Sequence, residues 1–306
     1  MQTPKIAIVG AGAVGSHVAS SLLLKNIRGH IFLIDKNQEC ETGQVLDLRD
    51  TTMFACGDIS QGEFSDCRDA DIVVLTAGAA QKPGETRMQL VERNVAILRS
   101  IKSEIGNLKK SALVIVVANP VDILTFIAVR EFGLNPKQVF GSGTLLDTAR
   151  LRWHIGQIEN VHPSSVAGFV LGEHGQSEFC AWSTVQVGGL PITQIPKFSK
   201  KKLQSLEENV RNEAFQIIAA KGATFFGIGS CVAEIISAIL SDAKKCLPLS
   251  SALQGEFDLE NVALSLPAIL GASGIEKVLQ PPLPQDEKGK LAQSAQFLQA
   301  TLHKFI

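Results

Sequence analysis

Lys5-Ile6-Ala7-Ile8-Val9-Gly10-Ala11-Gly12-Ala13-Val14-Gly15 reads as a short apolar strand that runs into a glycine-rich turn, with an apolar-periodic helix from Ser16 to about Lys25 behind it. The strand is apolar at successive positions, which suits a strand covered on both faces in a parallel sheet. Gly10 permits the tight turn, Gly12 lets the backbone approach an anion, and Gly15 lets helix and strand pack closely. Ala13 and Val14 lie in the turn ahead of the helix N-terminus, whose free N–H groups and dipole suit a phosphate. Glycine turns are common, so the next strand matters. Ile31-Phe32-Leu33-Ile34 ends in Asp35, 20 residues beyond Gly15. A carboxylate there accepts hydrogen bonds from ribose hydroxyls and repels a phosphate, so the expected ligand is a dinucleotide, NAD rather than NADP.

Strand-like and helical runs then alternate: Asp71 to Thr76, Met88 to Ile105, Ala112 to Ala118 and Val121 to Glu131. Alternation of this kind predicts an α/β fold, with an N-terminal doubly wound parallel sheet of the Rossmann type. Ligands in such sheets lie beyond the carboxyl ends of the strands, which singles out Thr76, Ala77, Gly78 and Asn119. From about Gly143 the pattern changes. Strand-like Val166–Leu171 and Ser183–Val187 are followed by helices over Lys202–Lys221, Phe226–Leu240 and Asp286–Lys304. The expectation is a dinucleotide-binding domain over 1–143 and a C-terminal α+β substrate domain over 144–306.

The chemistry is carried by two stretches, Leu146-Asp147-Thr148-Ala149-Arg150 and Gly172-Glu173-His174-Gly175. Asp147 and Arg150 stand three apart, so a helix projects them from one face. Oxidising a carbon that bears a hydroxyl requires a base for the hydroxyl proton, and imidazole titrates nearest neutrality. His174 is the candidate, with Asp147 to fix its tautomer and stabilise the imidazolium. Arg150 offers a guanidinium fork for a planar carboxylate. Taken singly these residues read more simply as a surface ion pair and a turn histidine; together with a dinucleotide turn they read as a site. The polar loop Gly78 to Arg87 is expected to move as a lid, bringing Arg87 against an oxygen on which negative charge develops.

Composition narrows the class. The 306 residues are 45% hydrophobic, carry a formal net charge of −1, and include six cysteines and no tyrosine. The charge balance gives no reason to expect a nucleic-acid or membrane-surface partner. No apolar run is long enough for a transmembrane helix, and the N-terminus lacks a signal-peptide pattern, so a soluble cytoplasmic protein is expected. The dispersed cysteines are expected to be reduced packing residues, no metal site is expected, and Lys200-Lys201-Lys202 is expected to be a solvated helix start.

The ordered set Gly10-x-Gly12-x-x-Gly15, Asp35, GAAQKPGETR (78–87), Asn119-Pro120-Val121-Asp122, GSGTLLDTAR (141–150), GEHG (172–175) and Lys221-Gly222-Ala223-Thr224 resembles the L-lactate/malate dehydrogenase family over nearly the whole chain. The resemblance is strongest to bacterial-type L-lactate dehydrogenases. It implies that His174 donates and accepts the proton with Asp147 as partner, that Arg150 clamps the substrate carboxylate and that Arg87 is the mobile polarising arginine. It also implies that Asn119 contacts substrate and nicotinamide, that Thr224 borders the substrate side chain, and that the protein is a metal-free homotetramer or homodimer.

Gln81 stands where malate enzymes of that family carry Arg and lactate enzymes carry Gln. An unpaired second carboxylate is costly to bury, so neutral Gln81 is expected to favour pyruvate over oxaloacetate. Two departures matter. Gln176 replaces the Asp usual two residues after the catalytic histidine, and GEHGQSEFCAWSTVQVGG (172–189) is also similar to enzymes of branched 2-hydroxy acids in the same family. A larger 2-oxo acid is therefore the close alternative, with malate dehydrogenase behind it and a non-catalytic descendant disfavoured because His174, Asp147, Arg150 and Arg87 are all present. Arg152 matches one residue of the family's fructose-bisphosphate site, but Ala167 stands in place of its histidine, so little activation by that effector is expected.

Overall fold

The computed structural model describes residues 3–80, 84 and 86–305. The first part of the chain runs β1 (Lys5–Val9), α1 (Ala13–Leu24), β2 (His30–Ile34), α2 (Gln38–Arg49), β3 (Asp58–Gln61), β4 (Ile72–Leu75), α3 (Arg87–Ile105), β5 (Leu113–Val116), α4 (Val121–Glu131) and β6 (Val139–Gly141). Its strands pair in parallel in the order β3-β2-β1-β4-β5-β6. The strand order reverses between β1 and β4, and that reversal opens a crevice beyond their carboxyl ends. The first helix begins at Ala13, three residues before the sequence suggested, because Gly12 already takes the N-cap position.

Side chains alternate across this sheet. Ala7, Val9, Val73 and Val114 face one core with α3 and α4, whereas Ile6, Ile8, Val74 and Ile115 face another with α1. All of them are essentially inaccessible, and each fully buried branched side chain contributes about 1.5–3 kcal/mol. Substituting a charge at Ile8 or Val74 would leave it with no route to solvent.

The remainder runs α5 (Leu145–Glu159), β7 (Val166–Ala167), β8 (Val170–Leu171), β9 (Phe179–Cys180), β10 (Gln186–Val187), β11 (Leu190–Pro191), α6 (Lys200–Lys221), α7 (Phe226–Leu240), β12 (Lys245–Gln254), β13 (Glu260–Gly271), β14 (Gly274–Val278) and α8 (Gln285–Leu302). The expected strand over Val166–Leu171 is two strands with different partners, β7 on β10 and β8 on β9. Gly168 separates them at φ +125°, a conformation that L side chains rarely adopt. The run Ser183–Val187 shrinks to β10 because Trp182–Thr184 closes a 3-10 turn.

The hairpin β12–β13, absent from the sequence reading, is the largest correction. It joins β6 through Ser250 opposite Gly141 and, with β14, extends the sheet among the described residues to nine strands. Of the cysteines, Cys67, Cys180 and Cys231 are buried, but Cys56 and Cys246 are exposed rather than packed inside. Lys200, Lys201 and Lys202 are exposed at the start of α6 behind the Ser199 cap. No described helix is long and apolar enough to cross a membrane.

Candidate active site

At the strand reversal the glycines do three different jobs. Gly10 has φ +114°, and a Cβ on it would lie 2.6 Å from Thr76 Oγ1. A Cβ on Gly15 would lie 1.8 Å from the Gly10 carbonyl oxygen, so helix and turn touch there. A Cβ on Gly12 would meet nothing within 4 Å; that space is open to a ligand. Thr76 pins the turn by donating from Oγ1 to the carbonyl oxygens of Val9 and Gly10, each at 3.0 Å. Asp35 follows β2 directly, and its carboxylate accepts from the backbone N–H of Ala11 at 2.7 Å and of Asn37 at 2.9 Å. Gly10, Gly12, Gly15, Asp35 and Thr76, with Ala13, Val14, Ala77 and Gly78, line a cleft of about 680 Å³. An open cradle at a helix N-terminus with a fixed carboxylate at its far side fits a dinucleotide that bears free ribose hydroxyls.

A second group of side chains is assembled from α4, α5 and the loop after β8. Asp147 and Arg150, one turn apart on α5, are both buried, and Arg150 Nη1 donates to Asp147 Oδ1 at 2.8 Å. Arg150 Nε also lies 3.5 Å from Glu213 on α6. The other carboxylate oxygen of Asp147 lies 2.6 Å from His174 Nδ1. A carboxylate can only accept, so Nδ1 carries the hydrogen and Nε2 is the nitrogen that Asp147 leaves free.

The loop that carries His174 is tied down at both ends of its turn. Gly172, at φ +91°, exchanges backbone hydrogen bonds with Ser265 of β13 at 3.1 and 2.9 Å. The His174 N–H donates to Asp122 Oδ2 at 2.7 Å, and Ser250 Oγ donates to the other Asp122 oxygen at 2.6 Å. Burial alone would disfavour the charged imidazole. The charge and hydrogen bond of Asp147 outweigh it, with Glu178 and Asp122 adding negative charge, and raise His174 to about 10. Burial likewise works against an ionised Asp147, but the charge and hydrogen bond of His174 and the charge of Arg150 hold its carboxyl below the usual range. Burial raises Asp122 to about 7 despite its two hydrogen bonds.

The sequence candidates therefore divide. Asp147, Arg150 and His174 converge; Gly10, Gly12, Ala13, Val14, Gly15, Asp35, Thr76, Ala77 and Gly78 share the cleft. Arg87 begins α3, is capped into it by Thr86, and pairs with buried Glu173, the neighbour of His174, while its guanidinium lies 4.5 Å from the Phe297 ring centre. Asn119 is exposed beyond β5, at a cis bond to Pro120, and its carbonyl oxygen accepts from Asn94 Nδ2 at 2.7 Å. Thr224 is half-buried between α6 and α7, and α7 begins by packing Gly227 against Leu146. Gln81 lies outside the described residues.

Three residues have contacts at the site to which the sequence reading gives no role. Asn94, fully buried on α3, clamps Ala79 and Asn119 and so joins the ends of β4 and β5. Its signal was present, because an amide sits in the apolar stripe Val91, Val95, Leu98. Asp122 positions the His174 backbone, and Glu178 lies 4.0 Å from His174 Nδ1. Neither has a local pattern that sequence spacing could expose.

Known proteins agree with this architecture. The family model for the lactate/malate dehydrogenase NAD-binding domain matches residues 4–141, and the model for the family's alpha/beta C-terminal domain matches residues 144–306. L-lactate dehydrogenase A of Rhizopus oryzae is 43% identical over 296 residues, which cover 97% of this chain and 91% of its own length. L-lactate dehydrogenase of Pediococcus acidilactici is 42% identical over 302 residues, 97% of this chain and 94% of its own. The crystal structure of a minor L-lactate dehydrogenase from Enterococcus mundtii superimposes with a TM-score of 0.94 at 38% identity, covering 99% of this chain and 98% of the other. With its glycine turn, its Asp147–His174 pair and both domains matched, the chain belongs to the lactate/malate dehydrogenase family.

Proposed function

We propose that this chain is an NAD-dependent L-lactate dehydrogenase that interconverts pyruvate and L-lactate, with residues 1–143 holding the dinucleotide and 144–306 supplying most of the acid-binding side. The observation that carries this reading is the His174–Asp147–Arg150 cluster, a proton carrier and a carboxylate fork sharing one buried aspartate. Gly12 and Asp35 would hold the dinucleotide, which would supply or accept the hydride. In the reducing direction the protonated His174 holds a proton at Nε2 for the carbonyl oxygen, and in the oxidising direction the neutral ring takes it back. Asp147 keeps the ring in one tautomer and balances its charge. Arg150 uses two donors on Asp147 and Glu213 and retains others of its five N–H groups for the substrate carboxylate. Arg87, released from Glu173, would bring a cation to the carbonyl oxygen; residues 81–83 and 85 of the expected lid lie outside the described residues. Asn119 and Thr224 complete the proposed acid site, and Gln81 sets its preference for a monocarboxylate.

The proposal includes a cytoplasmic homo-oligomer, dimer or tetramer, working in fermentative carboxylic-acid metabolism at the end of glycolysis. Met53, Phe54 and Phe226 are 86%, 81% and 59% exposed, apolar surface that a second copy would cover. The free thiols of Cys56 and Cys246 suit a reducing compartment. One residue favours a second reading: Gln176, exposed beside His174, is the amide of the branched 2-hydroxyacid enzymes. NADH oxidation followed in parallel with pyruvate, oxaloacetate and 2-oxoisocaproate decides between them. The highest kcat/KM is expected for pyruvate; a preference for 2-oxoisocaproate establishes the second reading, and no turnover with any of the three refutes both.

A further inference from the structure

Asp147 is not the only carboxylate behind the imidazole. Glu178 stands four residues after His174, immediately before β9, and its side chain is 5% exposed. Its Oε2 lies 4.0 Å from His174 Nδ1, and ligand atoms of Asp147, His174 and Glu178 all lie within 4.8 Å of one another. On α6, Arg211 Nη2 donates to the Glu178 carbonyl oxygen at 2.9 Å, which fixes the backbone at this point. The buried Nε of Arg211 has no hydrogen-bond partner among the described residues.

We propose that Glu178 is a positioning residue for the acid–base step, a second counter-charge behind His174 that raises the ring's affinity for a proton. Opposite charges this close in a site shielded from water interact far more strongly than on the surface. The charged or titratable groups that act on the pair are Asp147 and Arg150 on α5, Asp122 on α4, Arg211 on α6 and Cys180 on β9, with Glu213 behind Arg150. Arg150 is engaged by Asp147 and Glu213, so it does not cancel the charge of Glu178 on its own. Burial and the neighbouring Asp147 push the Glu178 carboxyl well up, and the charges of His174, Arg211 and Arg150 only partly offset this, so Glu178 supplies its counter-charge on the alkaline side, where the ring itself titrates. The two groups therefore respond to each other's charge. Gln176, two residues earlier, is neutral and exposed, which leaves Glu178 as the acidic side chain of the 175–178 turn that reaches the ring.

The inference rests on the reading of His174 as the proton carrier, and the experiment separates the two. Full-length wild type and Glu178→Gln are labelled with ¹⁵N-histidine, and the His174 titration is followed by NMR, assigned with His174→Ala. The pH profile of kcat/KM for pyruvate reduction is measured on the same proteins. With Glu178→Gln the ring titration and the alkaline limb of the profile are expected to fall together by about 1–3 units, and Glu178→Asp is expected to restore part of the shift. A His174 titration unmoved in a Glu178→Gln protein that keeps its melting temperature and its NADH affinity overturns the proposal. Should Glu178→Gln fail to fold, Glu178→Asp decides alone: a smaller downward shift supports the role and none overturns it. Absence of turnover in wild type would refute the functional reading, while the NMR titration would still decide the role of Glu178.

Discussion

His174 donates from Nδ1 to Asp147 Oδ2 at 2.6 Å, although one residue lies in a loop and the other on a helix 27 positions earlier. Nearly all the remaining geometry serves this contact. The Asp122–Ser250 pair holds the loop, Arg150 holds the other oxygen of Asp147, and the hairpin β12–β13 supplies Ser250 and Ser265 to the anchoring.

Replacing Asp147 with Asn removes the charge and inverts the tautomer preference at Nδ1 with little change in shape. By analogy with hydrolase triads, kcat is expected to fall by about 10⁴-fold. NADH affinity, measured by fluorescence titration, is expected to stay within twofold, because Asp147 is not part of the glycine cleft.

Two alanine substitutions in the glycine turn are expected to separate folding from binding. Gly15→Ala puts a methyl 1.8 Å from the Gly10 carbonyl oxygen, so it should lower the melting temperature by several degrees, about 1–3 kcal/mol of overpacking. Gly12→Ala meets nothing, so the melting temperature should hold while NADH affinity falls by about tenfold or more, as expected where a backbone must approach a pyrophosphate.

The position of His174 at about 10 fixes the sign of the pH dependence. In the proposed mechanism pyruvate reduction needs the protonated ring, so kcat/KM should be level through neutral pH and fall as pH rises through that value. Lactate oxidation needs the neutral ring and should climb over the same range. The folded ring sits above its ordinary 6.5, so the stability it contributes is complete below that pH and is lost as pH rises toward 10. Thermal melts of wild type and Asp147→Asn should therefore converge at alkaline pH.

Arg150→Lys keeps a positive charge and loses the planar fork. A bond to a charged group is worth about 1.5–3 kcal/mol, so kcat/KM for pyruvate is expected to fall by roughly 10- to 150-fold. Most of the change should appear in KM, measured at saturating NADH.

The glycine turn was legible because its demands are local: Gly10 needs a positive φ and Gly15 a close approach, and few other residues satisfy either. The α5 pair was legible because helical periodicity puts residues three apart on one face. The hairpin was hidden because Pro248, Pro267 and the serines at 250, 251 and 265 break the apolar alternation that marks a strand, yet these strands are buried by their neighbours. Asp122 lies in the Asn119–Asp122 motif, but its role is not local, since its partner is a backbone N–H 52 residues away. The proximity of Glu178 to the ring is hidden for a similar reason: it is a distance across a loop, which spacing along the chain does not encode.

The most direct test of the whole account is His174→Ala, assayed for pyruvate-dependent NADH oxidation alongside NADH binding by fluorescence. The account predicts that turnover falls by about 10²–10⁴-fold, the usual contribution of a positioned general acid, while NADH binds as in wild type. Turnover retained within a few-fold would contradict it, because the proton would then have to come from a group other than the imidazole on Asp147.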